Sequence, residues 1–426
     1  MIRLLFILLL MSVPVASLQA QAPAPAKAQQ QTIIVLGATA HIGNGQVIED
    51  ALLVMEKGRI TKIGSRDEVA YNKEAVVMDV TGQHIYPGLI LPASNLGLVE
   101  IGSVRASVDT RETGELNPNV RSIVAYDSDS RLIPALRSNG VLMAQVVPGG
   151  GLVSGTSSIV QLDAWDWEEA ALRMDNGMHV RWPRKNDARN GQINNNPRYD
   201  EQIKKIRKLF EDAARYAEAP REAKSNARLQ SMQGLFDGSM RLFLRAGEPA
   251  TIIESVRFAQ NFGVQKITLT QAGEEVWQVK DFLKNNHVSV ILREIHTVPS
   301  ATHQDVWGPC KLPAKLYRED IPVALSVSWL PRSINYAFLA GTAAAFGLQK
   351  EEALQLITKI PAEILGVDDV AGTLEEGKHA NLIISEGDIL DMRTNNITHA
   401  FIRGRMISLD NHHKKMYRKY KKRYGQ

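Results

Sequence analysis

A single cysteine, Cys310, stands among 426 residues. No disulfide can therefore form within the chain, and its stability has to come from a core. Apolar residues never run together for the ~18 positions that a membrane-spanning helix needs; the run from Leu4 to Met11 falls well short. No self-similarity with a period of 20–50 residues is present, which excludes a solenoid or propeller. The glycines Gly149–Gly151 are not followed by Gly-Lys-Ser/Thr, so they are not a phosphate-cradling loop and read instead as a tight βα turn. Neither sign of charge dominates, with 50 Lys and Arg against 46 Asp and Glu. What is present, 44% hydrophobic and 23% charged residues, is the profile of a folded protein and excludes a disordered or collagen-like chain.

Residues 1–20, MIRLLFILLLMSVPVASLQA, combine one positive charge, a short apolar run and a small-residue end, the pattern of a secretory signal peptide. The chain is thus expected to cross the inner membrane and to be periplasmic or associated with the cell envelope. Residues 21–31 (QAPAPAKAQQQ) read as a low-complexity linker with little to bury. The last thirteen residues hold seven cations, Lys414, Lys415, Arg418, Lys419, Lys421, Lys422 and Arg423, interleaved with Tyr417, Tyr420 and Tyr424. This basic tail, 411–426, reads as a solvated, partly helical terminus that could touch an anionic envelope surface; nucleic acid is not expected as a partner of an exported chain.

Between these ends the chain changes character twice. From Thr32 to about Val80, β-rich runs alternate with turns, and Gly372–Leu409 does the same. The long centre alternates apolar runs with helical periodicity, which predicts parallel βα units. LILPAS, GVLMAQVVP, SSIVQL, PATIIES, KITLT, VSVILRE and IPVALSVS read as strands, and Tyr199–Ala217 and Glu275–Asn285 as helices. Seven strands suggest a closed barrel with one more strand unplaced.

Gly82-Gln83-His84-Ile85-Tyr86-Pro87-Gly88-Leu89-Ile90 resembles the strand that enters the barrel in the amidohydrolase superfamily. The stretch from Leu354 to Gly366, followed by Ala371-Gly372-Thr373-Leu374-Glu375-Glu376-Gly377-Lys378-His379-Ala380-Asn381-Leu382-Ile383, is similar to that superfamily's ending. With Asp109, the Pro148–Gly151 loop and Gly155, the chain looks like its imidazolonepropionase-like branch. The resemblance implies an α/β fold: a (β/α)8 TIM-type barrel over 87–366 with a composite β-sandwich from 32–86 and 367–410. It implies hydrolysis of C–N bonds in non-peptide amides, cyclic amides or peptide-like substrates, with one or two divalent metals at the barrel mouth.

The same resemblance puts non-ligands where metal ligands belong. Its first-strand histidines fall on Ala93 and Asn95, and the preceding aspartate on Leu91. The bridging lysine falls on Gln161, later histidines on Ile253 and Gln271, and the last-strand aspartate on Ser328. Alanine cannot ligate and glutamine cannot form a carbamate. No metal is therefore expected, and Asn95, Gln161, Gln271 and Ser328 become a hydrogen-bonding ligand pocket. An active relative or a second copy of the chain is then a natural partner.

An alternative keeps the chain an active hydrolase with a relocated site. Glu294 and His296 share a strand face in Leu292-Arg293-Glu294-Ile295-His296, since alternate residues point the same way, and His303 and Asp305 follow in the next loop. Glu294 and His296 would serve as acid and base, and His296, His303 and Asp305 as ligands for zinc or another divalent metal. Cys310 is a further candidate nucleophile beside His303 or His296. Trp165, Trp167 and Trp307 would line a pocket or close the barrel. The other histidines read as structural or, for His412 and His413, as part of the tail.

Overall fold

The computed structural model describes residues 24–67, 75–189, 192–218, 225–298, 304–327 and 330–425. The signal peptide expected over 1–20, His303 and Ser328 lie outside the described residues.

The β-branched and Leu-rich runs near the N terminus form β1 (Ile33–His41), β2 (Val47–Glu56), β3 (Arg59–Ser65), β4 (Val76–Asp79) and β5 (His84–Pro87). Lys57 and Gly58 both take positive φ between β2 and β3, as the tight turn of a two-residue hairpin demands. The centre supplies β6 (Leu89–Ser94), β7 (Val141–Val146), β8 (Val153–Gln161), β9 (Ala171–Arg181), a hairpin of β10 (Asn186–Arg189) and β11 (Gln192–Asn195), then β12 (Arg241–Arg245), β13 (Ile267–Ala272), β14 (Ser289–Leu292) and β15 (Val323–Ala324). After the barrel come β16 (Leu382–Ser385), β17 (Ile397–Ile402) and β18 (Arg405–Met406). The terminal strands make one sheet in the order β18-β17-β16-β5-β1-β2-β3, with β4 beside β1, so both ends of the chain build a body separate from the barrel.

Strands β6, β7, β8, β9, β12, β13, β14 and β15 form the second sheet, a nearly closed barrel. The helices α1 (Leu132–Arg137), α2 (Tyr199–Glu218), α3 (Pro249–Asn261), α4 (Lys280–Asn285), α5 (Gly308–Arg318), α6 (Tyr336–Ala345), α7 (Lys350–Gln355) and α8 (Lys359–Leu365) accompany it, and α9 (His412–Tyr424) ends the chain. On α2, Ile206, Leu209, Phe210 and Ala213 are buried at spacings of three and four, the stripe of a helix lying on a sheet. The seam between β6 and β15 is bridged by side chains and by the turn after α7. Ser326 Oγ donates to Pro92 O (2.7 Å), and the Tyr336 hydroxyl lies 2.9 Å from the carbonyls of both Ile90 and Leu325. Ile90 N and Leu325 N donate to Ile357 O and Leu356 O.

Three details differ from the sequence reading. PATIIES is not a strand but the start of α3: Pro249 opens it, Glu248 N donates to Thr251 Oγ1, and Ile252, Val256 and Ala259 are buried on one side. Proline at the first helical position and three-to-four spacing outweigh the strand propensity of two adjacent isoleucines. The histidine position expected at Ile253 is therefore on a helix. Strands β9 and β12 have no counterpart in the sequence pattern, because Arg, Asp, Asn and Gly dilute their apolar signal. Finally, β8 runs antiparallel to both β7 and β9, so parallel βα order is broken at this one strand.

The linker expectation also changes. Residues 24–31 lie on the body: Ala26 N donates to Asp163 Oδ2 (3.0 Å), while Gln29 donates to Met55 O and accepts from Gly58 N.

Candidate ligand site at the barrel mouth

Parallel strands β6, β7, β9 and β12–β15 all end on one side, and the loops that follow them form the mouth. Two of these ends are bent by bulges. The β6–β7 register slips between Leu91 and Ser94, and the β13–β14 register between Leu269 and Ala272. Ala93 and Gln271 sit in these slips with φ of 52° and 56°, a left-handed region that costs a residue with a Cβ about 1–2 kcal/mol. Such strain collects at functional sites and marks both strand ends as candidates.

Behind Ala93, one face of the sheet carries a polar chain. Ala93 N donates to Gln145 Oε1 (2.9 Å), and Gln145 Nε2 donates to Ser157 Oγ (2.9 Å). On β9 and β12, His179 stacks flat on Phe243, with centroids 4.8 Å apart. The opposite faces of these strands, Met178, Val180, Leu242 and Leu244, join the apolar cluster that includes Ile206, Phe210, Ile252 and Val256 of the helices. The Gln145, Ser157, His179 and Phe243 face therefore lines the barrel interior. His179 is buried and its Nε2 has no partner; burial holds its pKa down at about 3, so the ring is neutral.

Alternation carries this inward face outward to the rim at Arg181 and Arg245, in-register neighbours at the ends of β9 and β12. Arg184 and Arg293 stand nearby, and these three arginines are the charges that act on Arg245, whose pKa is lowered by burial and by them. Arg181 Nε donates to Gly151 O (2.9 Å) from the glycine loop. That loop joins antiparallel β7 to β8, so it is a hairpin connection and not the expected βα turn. Sequence reasoning passed over all four arginines; their signal was the placement of Arg181, Arg245 and Arg293 just at or after short apolar strands.

Of the expected pocket residues, Asn95 lies exposed just past β6, and Gln271 half-buried at the end of β13. Gln161 is elsewhere. Because β8 is antiparallel, its last residue pairs with Met143 near the start of β7, at the end of the barrel away from the mouth. There Gln161 Nε2 donates to Glu169 O and its Oε1 is buried without a partner. Trp165 follows β8 and Trp167 comes soon after, so neither lines the mouth. Trp307 is exposed, with its ring 5.4 Å from Phe346.

The alternative cluster is not assembled. Strand β14 ends at Leu292, so Glu294 and His296 do not share a strand face. Glu294 is buried and paired with Arg332 at 3.0 Å. His296 Nε2 is 2.7 Å from Thr342 Oγ1, whose hydroxyl donates to Phe338 O. That contact occupies His296 Nε2. Burial lowers the pKa of His296, Glu294 raises it and Arg332 lowers it. Asp305 accepts from Trp307 N and pairs with Lys311 at 2.7 Å. Cys310 donates to Ile295 O, and burial pushes its thiol pKa up, the opposite of what an activated nucleophile needs.

A catalytic zinc is held by three His, Cys, Asp or Glu side chains within reach of one point. No such group exists among the described residues. His41 and His84 meet each other at 3.1 Å, and His41 meets Glu351 of α7 at 2.7 Å, where they tie the terminal sheet to the barrel helices. Among the described residues, those at the mouth do not fit a zinc centre of this kind.

A nearly closed eight-stranded barrel with a second sheet built from both chain ends is the architecture of the amidohydrolase superfamily. Residues 343–407 match the Amidohydrolase family. An amidohydrolase from Thermotoga maritima MSB8 superposes with a TM-score of 0.77 at 21% identity, covering 88% of this chain and 99% of that one. A putative prolidase from Bifidobacterium longum gives 0.52 at 13% identity over 88% and 94%, and phenylurea hydrolase B 0.54 at 14% over 89% and 97%. No curated protein matches the sequence. The likeness is one of fold.

Proposed function

We propose that this chain is an exported protein that uses the amidohydrolase barrel mouth to bind a ligand, and does not hydrolyse a C–N bond on a metal. The observation that carries the reading is the mouth itself. Ala93, Asn95 and Gln271 stand at its strand ends, arginines stand at its rim, and among the described residues no three metal-ligating side chains converge. Metal-assisted hydrolysis needs such a trio to lower the pKa of a bound water, whereas binding needs only polar groups held in place. The bulges at Ala93 and Gln271 would aim such groups. Retention of the whole fold is then explained by pairing with an active relative or with a second copy of the chain. The relocated-hydrolase reading is less well supported, since Glu294 is held by Arg332 and His296 by Thr342.

The deciding experiment is elemental analysis of the purified protein after dialysis and after incubation with zinc, manganese or iron. The expected result is far less than one metal per chain, with no amide hydrolysis. One tightly held metal per chain, or hydrolysis lost in His296→Ala, would overturn the proposal.

The basic helix α9 supports attachment to an anionic envelope surface. It buries no residue, carries seven cations, and is fixed to the body by Asn411, which accepts from Lys414 N and donates to Ser138 Oγ at 2.7 Å. Each Lys or Arg near an anionic membrane contributes about 1 kcal/mol of attraction. Deleting 411–426 is expected to abolish co-sedimentation with anionic vesicles at low salt; unchanged co-sedimentation would refute the attachment.

A further inference from the structure

We infer that the rim formed by Arg181, Arg184, Arg245 and Arg293 is a binding site for a compact ligand bearing at least two negative charges, presented as phosphate or carboxylate oxygens. The inference deepens the binding reading and rests on it for the location of the site, while the absence of hydrolysis is tested separately by metal analysis.

Register and space define the site. Arg181 and Arg245 are paired neighbours on β9 and β12, and both continue the interior face past His179 and Phe243. Arg184 lies over the loop that follows β12: a Cβ on Gly247 would come within 3.7 Å of its guanidinium. Arg293 lies across the loop that follows β13, where a Cβ on Gly273 would collide with its guanidinium. Gly273 thus leaves the room that the Arg293 head occupies, while Arg184 rests at ordinary contact distance from Gly247. The Gly151 carbonyl takes Nε–H of Arg181 and so orients that fork, leaving its terminal nitrogens free to turn outward.

Charge at this rim is unbalanced. Among the described residues, Arg181, Arg184 and Arg245 have no ion pair, and Arg293 reaches Glu275 only at 3.8 Å. Several acids of the neighbouring loops are engaged elsewhere, while Glu274 and Glu294 line the same small cavity as Arg293. Glu275 accepts from Gly273 N at 2.8 Å, Glu248 from Asn186 N at 3.2 Å, and Glu294 pairs with Arg332. Cations that outnumber the acids beside them repel one another, and a multiply charged anion relieves that repulsion while accepting planar guanidinium hydrogen bonds. Burial first, and then its three arginine neighbours, lower the Arg245 pKa, and the second effect is the same repulsion seen from one residue. A singly charged ligand would leave most of it in place.

The test is calorimetric titration of the purified full chain with inorganic pyrophosphate and, separately, with citrate. One-to-one saturable binding of at least one of them is expected. Removing a charge-assisted hydrogen bond forfeits about 1.5–3 kcal/mol, so Arg245→Gln and Arg181→Gln should each weaken binding about tenfold or more. Arg184→Gln has no internal partner to lose; it should weaken binding while leaving the circular dichroism spectrum unchanged, which keeps the test valid if a strand variant fails to fold. Preference for pyrophosphate would identify a phosphate ligand, preference for citrate a carboxylate one. The inference is overturned if neither anion binds, or if binding survives Arg184→Gln and Arg245→Gln unchanged and vanishes when the basic helix 412–426 is removed.

Discussion

At the scale of single residues, His179 makes the most direct prediction. Its ring is buried against Phe243 with Nε2 unpartnered, and its pKa falls from 6.5 to about 3. The unfolded chain takes up a proton there below about pH 6.5 while the folded chain does not. Its contribution to stability is therefore complete above pH 6.5 and is lost as pH falls toward 3, at about 1.4 kcal/mol per pH unit. Thermal unfolding followed from pH 7.5 to 4.5 should show the melting temperature falling below pH 6.5, and His179→Phe should flatten that fall. An identical slope in the variant would assign the pH dependence to other groups, of which His379, also held down to about 4, is the first. None of this was legible in the sequence. His179 there stands between Met178 and Val180 with nothing to mark it as a barrel-lining ring, because the residues it touches come from other strands.

At the scale of elements, the strand ends matter most. Ala93 holds φ of 52° in the bulge of β6, a conformation that glycine adopts without the Cβ penalty. Ala93→Gly should therefore stabilise the protein by about 0.5–1 kcal/mol, read as a higher urea midpoint, provided that the bulge is kept. A destabilised variant would mean that the Ala93 methyl is packed more tightly than its half-buried position implies. The elements themselves were partly legible. Alternating and apolar runs revealed β6, β7, β13 and β14, and periodicity revealed α2. Where two cues conflicted, the wrong one was followed: PATIIES has the composition of a strand and the capping of a helix, and capping decided the outcome. The direction of β8 was not legible at all, since strand polarity depends on pairing that no local pattern encodes. That single reversal moved Gln161 from the expected pocket to the far end of the barrel.

At the scale of the whole molecule, the sequence resemblance pointed to the two-body architecture, but not to what joins the bodies. One such joint, beside the His41–Glu351 contact, is Asp163, beyond β8. Its carboxylate lies 2.5 Å from Arg137 of α1 and 3.6 Å from Arg405 of β18, and it accepts from Ala26 N of the segment preceding β1. Arg405 also donates to Asp163 O at 2.6 Å and pairs with Glu169 at 3.1 Å. One buried acid thus connects the barrel, the terminal sheet and the N-terminal segment. Both Asp163 and Arg137 are almost wholly buried, so removing the acid leaves a guanidinium without charge compensation, at a cost of about 3–5 kcal/mol. Asp163→Asn is expected to lower stability by that amount in urea denaturation followed by circular dichroism. It should also speed proteolysis within residues 24–31, since their anchor at Ala26 is weakened. Arg405→Gln separates the two effects. It leaves the Arg137 pair and the Ala26 contact intact, so it should cost less and leave the N-terminal segment protected. Equal losses in the two variants would place the weight of the joint on Arg405 and its contacts to Glu169 and the Asp163 carbonyl, and not on the carboxylate that all three parts share.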